Sequence, residues 1–286
     1  MKISKLLEQD KITLSFEVFP PKKADRFEAV KTAAEKIADL HPDFMSVTYG
    51  AGGTTAGFTA ELAADLKKDT GVPVLPHLTC VGSSREQVDQ MIETYVREGI
   101  DNIMVLRGDM PTSGEIETDF THASDLISYI KDKTDLCIGG ACYPEGHVES
   151  YNKNKDLYWL KAKVDAGCDF LTTQMFFDNN IFYNFLYRAR EAGIRVPILA
   201  GIMPITNAKQ LGRSVALSGT NVPERFRAIV DTFADNPAAM KQAGIVYASE
   251  QIIDLIANGV RHIHVYSMNK PDVAEGILNN LSEILK

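Results

Sequence analysis

The sequence contains few of the features that mark secreted, metal-binding or membrane proteins. Its 286 residues include four cysteines, and none of them forms a CxxC pair or a zinc-ligand spacing. There is no run of about 20 apolar residues for a membrane span, and no N-terminal apolar run for a signal peptide. Lysine and arginine number 30 against 38 acidic residues, which gives a formal net charge of −8. This charge disfavours nucleic acid as a partner, and we expect a cytoplasmic protein.

Several common ligand-binding motifs are also missing. Neither G-x-G-x-x-G nor G-x-x-x-x-G-K-[ST] occurs, and the glycine-rich segment 50–55 is a weak signal by itself. No metal site is predicted, because four histidines show no pairing with carboxylates at a ligand spacing; these are His77, His147, His262 and His264. The sequence therefore disfavours a dinucleotide-binding Rossmann domain, a P-loop enzyme and a metalloenzyme.

The chain does contain eight short apolar runs with strand character, and stretches with helical periodicity separate them. The intervening segment 27–40, for example, places apolar side chains at the three-to-four spacing of one helix face. Strand and helix alternating eight times predict a (β/α)₈ barrel of one domain. The predicted strands are 13–19, 44–49, 74–79, 102–107, 137–143, 170–176, 197–203 and 262–267.

The segment between the seventh and eighth predicted strands is longer than the others. It contains three helical stretches, 207–217, 223–233 and 238–258. A regular barrel repeat needs one helix at this point. We therefore expect an insertion before the last strand.

Strand parity separates the side chains into two faces, because alternate residues of a strand point to opposite sides. In the first predicted strand Leu14, Phe16 and Val18 form an apolar face that should pack under the helices. The side chains predicted to face the barrel interior include Ser15, Glu17 and Phe19 in the first strand, Thr172, Gln174 and Phe176 in the sixth, and His262, His264 and Tyr266 in the eighth. We interpret His262 and His264 as core histidines.

Polar side chains gather where these strands end. Barrel enzymes carry their chemistry at the carboxyl ends of the strands, so the pattern predicts an active site there. No lysine lies on an inner strand face, which disfavours a Schiff-base aldolase. The seventh and eighth strands lack a following glycine pair, which disfavours a simple phosphosugar isomerase. The polar residues at or just past the strand ends are Glu17, Thr48, His77, Arg107, Asp109, Tyr143, Gln174 and Tyr266.

Glu17 is the candidate general acid. Its neighbours Phe16, Val18 and Phe19 are apolar, and an apolar environment raises the pKa of a carboxyl above its free value of about 4.3. Such a group can hold a proton at neutral pH and donate it. A structural glutamate in a core ion pair is the alternative.

Two further sets of residues suggest a ligand groove. Asp109 follows an Arg-Gly pair, whose glycine permits close approach of a ligand, although an aspartate that caps a turn is the alternative. Asp156, Trp159 and Lys163 share one helical face. An acid, an indole and an amine could line a groove for a ribose and a phosphate. A solvated helix face is the alternative.

Taken together, eight segments resemble the bacterial 5,10-methylenetetrahydrofolate reductases, in order and over nearly the whole chain. The resemblance implies a (β/α)₈ barrel that holds FAD without a Rossmann domain, which agrees with the missing glycine motif. NADH or NADPH would be the co-substrate, and a homo-oligomer is expected. The segments are SFEVFPPK, FMSVTYGAGG, PHLTC, VLRGDMP, CYPEGH, DLYWLKAKVDAGCDFLTTQMFFD, GIMPITNAKQ and YSMNK.

The resemblance also assigns roles to residues. Glu17 matches the family's general acid, and Asp109 would lie against the pterin and stabilise positive charge. Thr48 and Gln174 would lie near the flavin face that receives the nicotinamide, and Gln174, Gln210 and Lys270 would contact the folate. The residues expected to bind FAD are Tyr49, Ala51, His77, Arg107, Gly108, Asp109, Ala123, Tyr143, His147, Asp156, Trp159 and Lys163.

Three positions depart from the family pattern. A relative carries Phe at the position of Ser214, Arg at that of Lys270 and Asn at that of Trp159. The change at Ser214 keeps one other function open, and a second alternative stays open independently of these departures. The chain could be a flavin-bearing subunit that receives electrons from a partner protein, or a pterin-binding transferase barrel without flavin.

Overall fold

The computed structural model describes residues 1–50, 55–109 and 118–286. Eight parallel strands form a closed barrel in chain order, and β1 pairs with β8 to close it. The predicted (β/α)₈ fold is confirmed. The strands are β1 (Thr13–Val18), β2 (Phe44–Val47), β3 (Val74–Thr79), β4 (Asn102–Leu106), β5 (Cys137–Cys142), β6 (Phe170–Thr173), β7 (Ile198–Ile202) and β8 (His262–Tyr266).

Helices surround the barrel, and three of them follow β7, as the sequence predicts. Several start at side chains that satisfy free backbone N–H groups; Asn207, for example, accepts the N–H of Gln210 at 2.8 Å and starts α8. The helices are α1 (Ile3–Leu7), α2 (Phe27–Ala38), α3 (Ala56–Thr70), α4 (Arg85–Arg97), α5 (Ala123–Lys131), α6 (Lys153–Asp165), α7 (Asn179–Glu191), α8 (Ala208–Ser218), α9 (Glu224–Phe233), α10 (Pro237–Ala257) and α11 (Pro271–Leu281). Within the described ranges, no helix combines the length and the apolar character that a membrane span requires.

Most predicted strands extend one to three residues too far, and two side chains are misplaced as a result. β6 ends at Thr173, so the strand alternation does not reach Phe176. Instead of facing the barrel interior, Phe176 stacks on Phe182 of α7, with ring centroids 5.1 Å apart. Phe19 follows the end of β1 and is 39% exposed at the rim. The interior positions predicted for these two residues are wrong.

Buried apolar side chains of the described residues form three clusters, and two of these make up the layers on either side of the strands. Leu14, Phe16 and Val18 are buried between the barrel and the helices, as parity predicts. The second layer fills the lower barrel interior, at the amino-terminal ends of the strands, where α1 closes the opening. It consists of Ile3, Leu6 and Leu7 from α1 with Phe44, Leu75, Met104, Cys137, Phe170 and Leu199 from the strands.

Candidate active site

Two adjacent cavities lie at the carboxyl ends of the strands. The inner cavity, over the barrel axis, has a volume of about 320 Å³. The outer cavity, between the ends of β3–β5 and helices α5 and α6, has a volume of about 450 Å³. Both have Tyr49, Leu106, Ala141 and Tyr143 in their walls. The two cavities are therefore direct neighbours.

Glu17 lies in the wall of the inner cavity with 18% of its side chain exposed. The strand register places Ser46 beside it, and the Ser46 hydroxyl donates to Glu17 Oε2 at 3.1 Å. His77 Nε2 and His264 Nε2 lie 3.4 and 3.6 Å from the same oxygen. The carboxylate therefore sits among one hydroxyl and two imidazoles.

This environment reverses the predicted pKa shift of Glu17. Burial alone raises the pKa, but His264, His77 and Ser46 together lower it below its ordinary value. The expected increase is therefore wrong. Phe16 and Val18, which motivated it, point to the outer core, because adjacent strand residues face opposite sides. The polar neighbours of Glu17 come from other strands. Their proximity to Glu17 cannot be predicted from the residues that flank it in the sequence.

His264 and Ser46 were not recognised as site residues from the sequence. His264 is 2% exposed. Its Nδ1 lies 2.8 Å from the Ser15 hydroxyl, and its Nε2 lies 3.3 Å from that of Ser46. The available signal was parity, since His264 shares an inner face with Tyr266 at the strand end. Below it, His262 pairs with Thr13 at 3.0 Å in the core, as expected.

The outer cavity brings together most of the residues predicted to bind FAD. Thr48 and His77 lie in the inner cavity instead, and Ala51 lies outside the described residues. Asp109 is exposed and borders the outer cavity, away from the wall that holds Glu17. The predicted residues in the outer wall are Tyr49, Arg107, Gly108, Asp109, Ala123, Tyr143, His147, Asp156, Trp159 and Lys163.

Charged groups are distributed along this outer wall. The Arg107 guanidinium donates to both carboxylate oxygens of Glu149, at 2.6 and 3.0 Å. The Lys163 ammonium donates to the Ala141 carbonyl at 2.6 Å, and burial lowers its pKa. Burial raises the pKa of Asp156. No sequence pattern identifies Glu149 as a site residue, because it lies in the loop after β5, where strand and helix periodicity do not apply.

The backbone near Arg107 is shaped for close approach. Gly108 has φ +88°, and a Cβ there would lie 3.1 Å from Thr79 Cβ, so a side chain is disfavoured. Thr79 Oγ1 is buried and has no hydrogen-bond partner among the described residues. Buried polar atoms are usually satisfied, and this one lies beside a cavity that Thr79 lines. No group of three or more potential metal ligands occurs in the parts of the chain that the structure describes.

The residues predicted to bind folate do not all lie in one cavity. Gln174 lines the inner cavity. Gln210 and Lys270 lie outside the walls of both cavities, although Gln210 Nε2 approaches the sulfur of Met203, a wall residue, at 3.5 Å. Lys270 and Gln210 both contact Thr206.

A closed (β/α)₈ barrel with a largely buried carboxylate and two adjacent cavities at its strand ends has the architecture of a barrel enzyme. A sequence model of the family described as methylenetetrahydrofolate reductase matches residues 2–282. The chain belongs to this family.

Individual relatives agree with this assignment. A methylenetetrahydrofolate reductase (NADH) 1 of Arabidopsis thaliana is 37% identical over 300 residues, covering 99% of this chain and 50% of the plant protein. The chain thus spans about half the length of that relative. A 5,10-methylenetetrahydrofolate reductase of Pectobacterium carotovorum is 36% identical over 273 residues, covering 96% of this chain and 91% of the relative.

A solved structure shares the fold. It is an uncharacterised protein from Clostridium thermocellum, described as binding two copies of 5-methyl-5,6,7,8-tetrahydrofolic acid. The TM-score is 0.66 at 15% identity, and the match covers 100% of this chain and 99% of that one. At this identity the likeness supports the barrel fold alone.

Proposed function

We propose that this protein reduces 5,10-methylenetetrahydrofolate to 5-methyltetrahydrofolate, with NADH or NADPH as the electron source and FAD as the resident cofactor. The observation that carries the proposal is the pair of adjacent cavities. One holds a buried carboxylate, and the other is lined by cations, aromatic rings and a glycine turn. Family membership supports the same conclusion.

The residues of the outer cavity fit a flavin dinucleotide. Arg107 and Lys163 supply positive charge for a diphosphate, and the Asp156 carboxyl can accept hydrogen bonds from a ribose. The turn at Gly108 lets backbone approach the ligand, and the Thr79 hydroxyl, which has no partner among the described residues, could form a hydrogen bond with it. FAD, when bound, would accept a hydride from the nicotinamide and later pass it to the folate.

The inner cavity would then receive the nicotinamide and the folate in turn. We assign Thr48 and Gln174, both in its wall, to the nicotinamide and pterin rings. Glu17 would donate a proton to N10 of the folate as the five-membered ring opens. Asp109 lies in the wall of the outer cavity, so its negative charge would stabilise the developing cation from that side. Lys270, which lies outside the cavity walls, would contact a part of the folate that extends beyond the inner cavity, and Gln210 would support it through Thr206.

Two half-reactions test the proposal directly. Purified protein should carry a flavin absorption spectrum, and anaerobic NADH or NADPH should bleach it. Addition of methylenetetrahydrofolate should then restore the oxidised spectrum with formation of methyltetrahydrofolate. A colourless protein that binds no added FAD would refute the proposal and favour a pterin-binding transferase.

The same experiment separates the partner-protein alternative. If the flavin is present and NADH and NADPH both fail to reduce it, while chemically reduced flavin still converts the folate, electrons must come from another protein. Steady-state oxidation of NADH with a quinone acceptor tests directly whether the isolated chain accepts electrons from NADH.

A further inference from the structure

Thr206 connects two predicted folate-binding residues that reach it from different parts of the barrel. It lies in the loop after β7 and is 7% exposed. Its hydroxyl lies 2.6 Å from the Lys270 ammonium and 3.3 Å from Gln210 Oε1. Lys270 directly precedes α11, after β8, whereas Gln210 is in the first turn of α8. One small side chain therefore joins the segments that follow the last two strands.

The chemistry of these three groups fixes the direction of each hydrogen bond. A lysine ammonium has donors only, so the Thr206 oxygen must accept from Lys270. The single hydroxyl hydrogen of Thr206 is then available for Gln210 Oε1. Hydrogen bonds in such a chain strengthen one another. From donor to acceptor, the hydrogen bonds therefore run from Lys270 to Thr206 and from Thr206 to Gln210.

The Gln210 amide is fully engaged by its own surroundings. Its Oε1 also accepts the Thr206 backbone N–H at 3.1 Å, and its Nε2 donates to the Pro204 carbonyl at 3.1 Å. Gln210 thus serves as the support of this loop. Because its amide atoms are already hydrogen-bonded, Gln210 is less suited than Lys270 to contact the folate directly.

The loop is also held from behind. A Cβ on Gly244 of α10 would lie 1.8 Å from the Ile205 carbonyl oxygen, so helix backbone and loop backbone are in direct contact there. Glycine is required at this approach. Thr206 therefore has a rigid base, and the position of the Lys270 ammonium is set by a fixed hydroxyl.

We propose that Thr206 is a positioning residue for substrate recognition, whose hydroxyl holds the Lys270 ammonium outside the inner-cavity wall, where it can meet the carboxylates of the folate glutamate tail. This inference rests on the proposed function, since it takes a folate as the substrate. A lysine side chain loses much rotamer freedom on binding an anion, and a preformed hydrogen bond removes part of that cost. Thr206 would then affect folate binding more than the chemical step.

The test compares Thr206→Val, which keeps the shape and removes the hydroxyl, with Thr206→Ser, which keeps the hydroxyl. We expect Thr206→Val to raise the KM for methylenetetrahydrofolate roughly 5- to 20-fold. This is less than the roughly 10- to 150-fold effect of a direct hydrogen bond to a charged group, because Thr206 acts on the folate only through Lys270. The kcat and the NADH–quinone reaction should stay near their wild-type values. Thr206→Ser should restore the wild-type KM. Thr220→Val, another buried threonine, serves as the control and should leave the KM unchanged.

A double-mutant cycle with Lys270→Met then asks whether Thr206 acts through Lys270. In the Lys270→Met background, removal of the Thr206 hydroxyl should change the KM less than twofold, because the group it positions is gone. Equal effects in both backgrounds would overturn the proposal, as would a wild-type KM in Thr206→Val. If Thr206→Val is insoluble, Thr206→Ala provides the same comparison with Thr206→Ser.

The outcomes separate this inference from the proposed function. If the wild-type protein reduces the folate and Thr206→Val is indistinguishable from it, the inference alone fails. If the wild-type protein has no activity with the folate, both fail.

Discussion

The two ends of the barrel interior are built from the same strands but have opposite character. In β2, Phe44 belongs to the lower apolar layer, whereas Ser46, two residues later, hydrogen-bonds Glu17. In β3, Leu75 and His77 divide in the same way. Inward-facing residues two positions apart thus serve different purposes. The lower position contributes burial, and the upper position contributes chemistry.

The lower apolar layer directly adjoins the polar residues in the upper part of the barrel interior. Phe44 stacks on His264, with ring centroids 6.0 Å apart and planes inclined by 14°. The imidazole that approaches Glu17 is therefore supported from below by an apolar ring. The comparison suggests that mutations in the lower layer change stability and that mutations in the upper layer change reactivity. The predictions below test this division, from the largest expected effect to the smallest.

Glu17→Gln should act on chemistry alone. It keeps the shape of the side chain and removes the acid, so the folate half-reaction should slow by about 10²- to 10⁴-fold, the usual span for general acid catalysis. Flavin reduction by NADH should be largely retained, as should FAD content. Stopped-flow measurement of each half-reaction provides the check. Near-normal folate turnover in this variant would remove Glu17 from the mechanism.

Leu6→Ala should act on stability alone. Leu6 is 5% exposed in the helix that closes the lower end, and truncation of a buried leucine costs about 2–5 kcal/mol. Urea unfolding should report this loss, and both half-reactions of the folded variant should match the wild type at low temperature. Leu6→Met, which conserves volume, is the control and should cost less than about 1.5 kcal/mol. Slowed chemistry in folded Leu6→Ala would show that the two ends are coupled.

The pH dependence follows from the lowered pKa of Glu17. Proton donation requires the acid form, and above its pKa the fraction of that form falls about tenfold for each pH unit. The folate half-reaction should therefore slow as pH rises from about 6 to 8, by up to roughly 100-fold, whereas flavin reduction should not follow this profile. A flat profile would mean that substrate binding raises the pKa of Glu17 enough to keep it protonated.

Two variants of the outer cavity should change FAD affinity in opposite directions. Lys163→Ala removes a buried cation and should weaken binding by about 10- to 150-fold. Glu149→Gln removes a carboxylate that shares the Arg107 guanidinium, and relief of its repulsion toward a phosphate should tighten binding roughly threefold. Titration of FAD into cofactor-stripped protein measures both. Unchanged affinity in Lys163→Ala would place its ammonium away from the diphosphate. Weaker binding in Glu149→Gln would identify Glu149 as a support for Arg107.

The sequence was sufficient for the barrel and for most of the rim, because period-two and helical patterns report which face of each element is buried. Glu17, Gln174 and Tyr266 lie in the inner wall for this reason. Contacts between strands were not predictable in the same way. The pKa of Glu17 depends on Ser46, His77 and His264, which the barrel register brings together from distant parts of the chain.

Residues beyond the strand ends were the hardest to place. Phe176 follows the last residue of β6, where alternation stops, and its position is determined by packing on α7. Glu149 and Thr206 lie in loops, and their partners Arg107 and Lys270 come from other repeats. No local pattern encodes such pairings, so these contacts required the three-dimensional arrangement.

The single tryptophan of the chain has a practical consequence. Trp159 is 47% exposed in the wall of the outer cavity, and its indole lies parallel to the His122 ring at a centroid separation of 5.6 Å. All tryptophan fluorescence of the protein therefore originates at this one place. Because indole emission overlaps the absorption of oxidised flavin, energy transfer should quench it when a flavin enters the cavity. The protein thus contains its own optical reporter of cofactor loading, and it needs no added label.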